Sequence, residues 1–83
     1  MERQDLEAKV LQTVACVLPE IDISSIDMTA ALTQEYGVNS VSIIQLIVEL
    51  EKDFNVEFED SELALGLYYD MNDVVAAVAA KLN

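Results

Sequence analysis

Eighty-three residues with sixteen acidic and four basic side chains give a net charge of -12. Nucleic-acid backbones and anionic membranes repel such a chain, so no nucleic-acid partner is expected, and a basic protein surface is the natural complement. A hydrophobic content of 53% excludes a disordered tail and fits one domain over residues 1–83, small enough to bury only about 60% of its unfolded surface.

No apolar run reaches the ~18 residues of a membrane span, and Met1-Glu2-Arg3-Gln4-Asp5 is unlike a signal peptide. A cytoplasmic monomer is therefore expected. Leu6, Val10, Val14 and Val17 follow at steps of four, four and three, which predicts an amphipathic first helix widened by Leu11 and Leu18. Asp5 and Glu7 suit its positive end, and Pro19 stops it. Cys16 falls off the apolar face beside Lys9 and Gln12, and as the single cysteine it excludes a disulfide framework and a multi-cysteine metal site.

From Glu20 to Glu35 the helical period is lost while Ile21, Ile23, Ile26, Met28 and Leu32 recur among polar residues. A loop this long in a small domain is functional or packed by its own side chains. Ile23, Ile26 and Leu32 are expected to pin it, with one helical turn near Thr29–Gln34.

Tyr36-Gly37-Val38-Asn39-Ser40-Val41-Ser42 opens the best-patterned segment. Gly37 can take positive φ, and Asn39 and Ser40 are both strong N-cap residues for a helix from about Val41 to Asp53. Ser40 thus sits at the positive end of a helix dipole, where a phosphate is favoured, although the same position suits a plain cap. The chain has no histidine and Lys52 lies near the far end of the helix, so Ser40 lacks a base to activate it and no catalytic residue is assigned.

Ile43, Leu46, Ile47, Leu50 and Phe54 form a complete core face on this helix, with Ser42, Gln45, Glu49 and Asp53 opposite and solvated. Val41, Ile44 and Val48 add a second apolar stripe with Glu51 on its edge. The total arc is about twice the ~100° a surface helix needs. Either other helices bury the second stripe or it is a docking patch beside Ser40.

Beyond Phe54 the chain is acidic. Asp53, Asn55 and Glu57 alternate like calcium ligands, but Phe58 stands where such a loop needs glycine and Ala64 where it needs glutamate, so no metal site is assigned. A short helix is expected over Ser61–Leu65, capped at Asp60 and broken at Gly66, with Leu67-Tyr68-Tyr69 returning to the core. Asp70 then caps a last helix with Met71, Val74, Val75, Val78 and Leu82 on its apolar face. The architecture is all-α: a small bundle of three main helices plus one short helix, with a long loop between the first and second helices.

Gly37-Val38-Asn39-Ser40-Val41 resembles the Gly-x-Asp-Ser-Leu signature of acyl carrier proteins and peptidyl carrier domains, and the helix order extends that resemblance over nearly the whole chain. The resemblance implies a 4'-phosphopantetheine arm on Ser40, with Asn39 beside it, placed there by a phosphopantetheinyl transferase using coenzyme A. It implies a non-enzymatic carrier of acyl or aminoacyl thioesters for fatty acid, polyketide or nonribosomal peptide biosynthesis. Docking on basic surfaces of acyl- or aminoacyl-transferring enzymes would use Val41, Ile44, Gln45, Val48, Glu49 and Glu51, with Glu57 and Asp60 beyond the helix. Asn39 replaces the usual aspartate, and Gln45 and Lys52 stand where many fatty-acid carriers have acids, which points to a specialised pathway. The alternatives are an unmodified acidic interaction module and a D-alanyl carrier.

Overall fold

The computed structural model describes residues 2–82 and contains four α-helices: α1 (Arg3–Val17), α2 (Leu32–Tyr36), α3 (Ser40–Phe54) and α4 (Met71–Leu82). Three 3-10 turns join them, at Ile23–Ser25, Asp60–Leu63 and Leu65–Leu67, and no strand occurs among the described residues.

The periodic apolar faces become one core. Leu6, Val10 and Val14 of α1, Ile43, Leu46, Ile47 and Leu50 of α3, and Met71, Val74, Val75 and Val78 of α4 are all buried. α1 lies chiefly against α3. Their contact includes a polar tie that the period does not show: the buried Thr13 hydroxyl donates to Asp53 Oδ2. Asp53, expected to be free in solvent, is exposed but engaged. Leu82 also departs from expectation, standing exposed at the end of α4.

The long loop is held as its apolar residues predict, although the deepest anchors are Ile21 and Leu32, with Ile23, Ile26 and Met28 packed more shallowly. Tyr36 adds a polar anchor, its hydroxyl accepting the Asp27 N–H at 2.8 Å. Asp22 and Asp27 each stabilise a local turn. The Ser24 hydroxyl and N–H, then the Ser25 hydroxyl, hold the Asp22 carboxyl below its usual range, and the Thr29 hydroxyl and N–H do the same for Asp27.

The short α-helix lies earlier in the chain than expected. The turn foreseen near Thr29–Gln34 is α2, whereas Ser61–Leu65 is not α-helical but divides between two 3-10 turns around Ala64. Four residues are too few for α-helical hydrogen bonds to outweigh the cost of nucleation, and the tighter turn is closed by side chains. Glu59 and Glu62 form a capping box, and Glu62 Oε1 also accepts Lys81 Nζ of α4 at 2.7 Å. That lysine bond first, and the Glu59 N–H second, keep the Glu62 carboxyl below its usual range. Tyr68 closes the segment by burying its ring and donating its hydroxyl to the Glu62 carbonyl at 2.6 Å. Burial, and then the Glu62 charge, push its phenol pKa upward. Tyr69, grouped with Tyr68 on sequence, instead points to solvent.

Candidate functional site at the start of α3

Gly37 makes the site possible. It ends α2 at φ 67°, with its N–H directed at the carbonyls of Leu32 and Thr33, in the left-handed conformation that glycine adopts without penalty. Val38 then buries its side chain and donates its N–H to the Leu32 carbonyl at 3.2 Å. Asn39 is extended, and its Oδ1 accepts the Ser42 N–H at 2.9 Å and the Ser42 hydroxyl at 3.1 Å. Of the two possible caps, Asn39 performs the role and Ser40 becomes the first residue of α3.

Ser40 is therefore an exposed hydroxyl on a fixed backbone. Helix geometry leaves the Ser40 and Val41 N–H groups without intrahelical partners, and the dipole adds positive potential there. From Gly37 to Val48 no side chain carries a charge at neutral pH, even though the chain as a whole has a net charge of -12. Lys52, the one base on α3, begins its side chain about 18 Å along the axis from Ser40 at 1.5 Å per residue. The hydroxyl has no base within reach on its own helix to ionise it, but its setting fits a phosphodiester: N–H groups without intrahelical partners, a neutral cap and no neighbouring carboxylate on the helix.

The second apolar stripe of α3 is not covered by other helices. Val41 is 62% exposed, Ile44 40% and Val48 39%, while Ile47 on the core face is 0% exposed. Gln45 is exposed as well. Four residues of the expected site, Ser40, Val41, Ile44 and Gln45, thus lie on the first two turns of the helix.

The acids around this stripe are not equivalent. Glu49 is half-buried and faces Lys52 at 3.7 Å. Glu51 is half-buried too, and its Oε2 accepts the Phe58 N–H at 2.7 Å, fastening the chain beyond α3 to the helix. That fastening follows a left-handed turn at Asn55 (φ 54°), which caps α3 and redirects the chain. Glu57 and Asp60 are exposed, with Glu57 joining Val48, Glu51, Lys52, Val56 and Phe58 around an open groove.

Every basic side chain is engaged within the molecule. Arg3 pairs with Glu7 at 3.3 Å and Lys52 with Glu49, while Lys81 bonds Glu62 and lies 5.2 Å from the centre of the Phe58 ring. Lys9 lies 4.6 Å from the centre of the Phe54 ring. The unopposed surface charge is accordingly negative.

A protein-family model described as a phosphopantetheine attachment site matches residues 8–82. An acyl carrier protein of Desulforapulum autotrophicum is 30% identical over 76 residues, covering 92% of this chain and 96% of that protein.

Proposed function

The chain belongs to the acyl carrier protein family, whose prosthetic group is 4'-phosphopantetheine, and on that premise we propose that Ser40 is the attachment point in a single carrier domain spanning residues 1–83. The observation that carries this reading is the placement of Ser40: exposed, first in α3, capped by neutral Asn39 and remote from the base on its helix. Such a hydroxyl is suited to being modified by another enzyme, not to acting as a nucleophile by itself.

In the modification, Ser40 Oγ forms the new bond to phosphorus, the nucleotide part of coenzyme A departs, and the serine proton passes to a base of the transferase. Asn39 keeps the first turn formed throughout, because its bond to Ser42 does not involve Ser40. The Ser40 and Val41 N–H groups, which have no intrahelical partners, would be the donors available to hold a phosphodiester oxygen. When bound, the arm supplies a terminal thiol on which an acyl or aminoacyl group is carried as a thioester.

The docking face of this reading is the exposed stripe Val41, Ile44 and Val48 with neighbouring Gln45. Glu57 and Asp60 offer freer charges to a basic partner than Glu49 and Glu51, which are held within the chain. A docking surface that is apolar near the serine and carries Gln45 and Lys52 on the same helix favours enzymes of a specialised biosynthetic pathway. The experiment is intact-mass measurement after incubation with coenzyme A and a permissive phosphopantetheinyl transferase. One arm should be added to the wild type and none to Ser40→Ala. Modification that persists in Ser40→Ala would assign the arm elsewhere, and an unmodified wild type would favour a plain interaction module.

A further inference from the structure

The exposed stripe of α3 does not end at Val48. At ~100° per residue Val41, Ile44, Val48 and Lys52 fall within about 80° of one another, so Lys52 stands one turn beyond Val48 on the same face. Both side chains also line the open groove at the foot of the helix, together with Glu51, Val56, Glu57 and Phe58. Gln45 shares the face and is neutral, while Glu49 and Glu51 fall on its opposite flanks. The one charge on this face of α3 is therefore positive, on a chain whose net charge is -12.

That charge is loosely held. Of the three ion pairs among the described residues, Lys52–Glu49 is the longest, at 3.7 Å against 3.3 Å for Arg3–Glu7 and 2.7 Å for Lys81–Glu62. The Lys52 side chain is 69% exposed. A pair so exposed contributes little, and a carboxylate brought by a partner can take the place of Glu49. Glu51 is not free to compensate the lysine, since its Oε2 accepts the Phe58 N–H at 2.7 Å.

From these features we propose that Lys52 is the specificity-determining residue of the docking face, and that the face fits a protein surface with an apolar strip ending in a carboxylate. The strip would cover the ~10 Å from Val41 to Val48 and set its carboxylate against Lys52 about 6 Å further on. A basic group beyond it would face the exposed Glu57. The proposal rests on attachment at Ser40, which makes this the face that an enzyme acting on the arm covers.

Electrostatics then act over two ranges in turn. From about a Debye length away, ~10 Å, the sixteen acids draw in any basic surface. In contact, a basic group placed against Lys52 is repelled and desolvated without a counter-charge, whereas a carboxylate pairs with it. Attraction is general and acceptance is selective.

The test uses the full chain, coenzyme A and a permissive phosphopantetheinyl transferase with a basic docking surface, with product counted by intact mass at low and high salt. Lys52→Glu and Lys52→Gln are compared with the wild type, and each basic residue of the transferase's docking surface is changed in turn to glutamate. The unaltered transferase should modify Lys52→Glu about three- to fivefold faster than the wild type at low salt, with Lys52→Gln between them. One glutamate-bearing transferase should reverse that order and prefer the wild type, and high salt should shrink both preferences. Melting of each apo variant checks the fold, and Lys52→Gln, which adds no charge beside Glu49, carries the test if Lys52→Glu is unstable. Equal rates for all three proteins, or no glutamate-bearing transferase that prefers the wild type, would overturn the proposal. Absence of modification in every case, the wild type included, is a separate result visible in the mass, and removes the attachment reading and this proposal together.

Discussion

Ile47 and Val48 are adjacent in sequence and opposite in circumstance, which makes them a controlled pair. Ile47→Ala removes three carbons from a side chain with 0% exposure. At about 0.8 kcal/mol per buried carbon the transfer loss is about 2.4 kcal/mol, and the cavity left in a close-packed core raises it to roughly 3–4 kcal/mol. Val48→Ala removes two carbons from a side chain that is 39% exposed, a loss of about 1 kcal/mol, of which alanine's better helix propensity returns about 0.5 kcal/mol. The expected contrast is therefore several-fold in stability, read by urea unfolding of the apo protein. Ile47→Val, at about 0.5–1.5 kcal/mol, serves if Ile47→Ala leaves too little folded protein. The same samples are then assayed for the rate of Ser40 modification per folded molecule. Val48→Ala should slow it and Ile47→Val should not. If Val48→Ala destabilises as much as Ile47→Ala while its folded fraction reacts normally, the stripe is part of the core and docking lies elsewhere.

Glu51→Lys or Glu51→Ala should lower stability by about 1.5–3 kcal/mol, the range for a hydrogen bond to a charged group, because the Phe58 N–H loses its acceptor. Glu51→Gln, which keeps an acceptor, should cost less, and urea midpoints equal to the wild type's for all three variants would show that the tie contributes nothing. Added salt or millimolar magnesium should raise the melting temperature near neutral pH by screening sixteen acids against four bases; a melting temperature flat across ionic strength would refute this. Lowering the pH should at first help for the same reason, while the carboxyls of Asp22, Asp27 and Glu62, held below their usual 3.8 and 4.5, remain ionised. Their stabilising contribution is complete above those usual values and is lost as pH falls through the lowered ones, so a pH scan of melting should pass through a maximum.

The main helices were legible because each is long enough for its period to show. The buried faces of α1, α3 and α4 follow the apolar spacing closely, and Gly37 and Asn39 announced the turn and the cap by their own chemistry. Exposure of the second stripe was not legible. Val41, Ile44 and Val48 are as apolar as core residues, and only the positions of the neighbouring helices decide whether they are covered. Segment 61–65 departs from the expected short α-helix because a few residues with helical composition adopt α or 3-10 form according to partners outside the segment, here Lys81 and Tyr68. Glu51 shows the same limit in one side chain. Its place at the stripe edge suggested a charge for partners, whereas an amide seven residues later takes it up.

The charge-free run from Gly37 to Val48 has a further consequence for the lifetime of a reactive load. A thioester waiting between enzymes is consumed by water or by any nucleophile that can reach it, and imidazoles, amines and thiolates are the usual agents. This chain has no imidazole, and its amines at Lys9, Lys52 and Lys81 are occupied by rings or carboxylates. Its thiol, Cys16, lies beside Asp53, about 20 Å along α3 from the serine. If the load hangs from Ser40 as proposed, this placement keeps the lysines and Cys16 of the chain away from the start of α3, so that discharge would fall chiefly to the enzyme that receives the cargo.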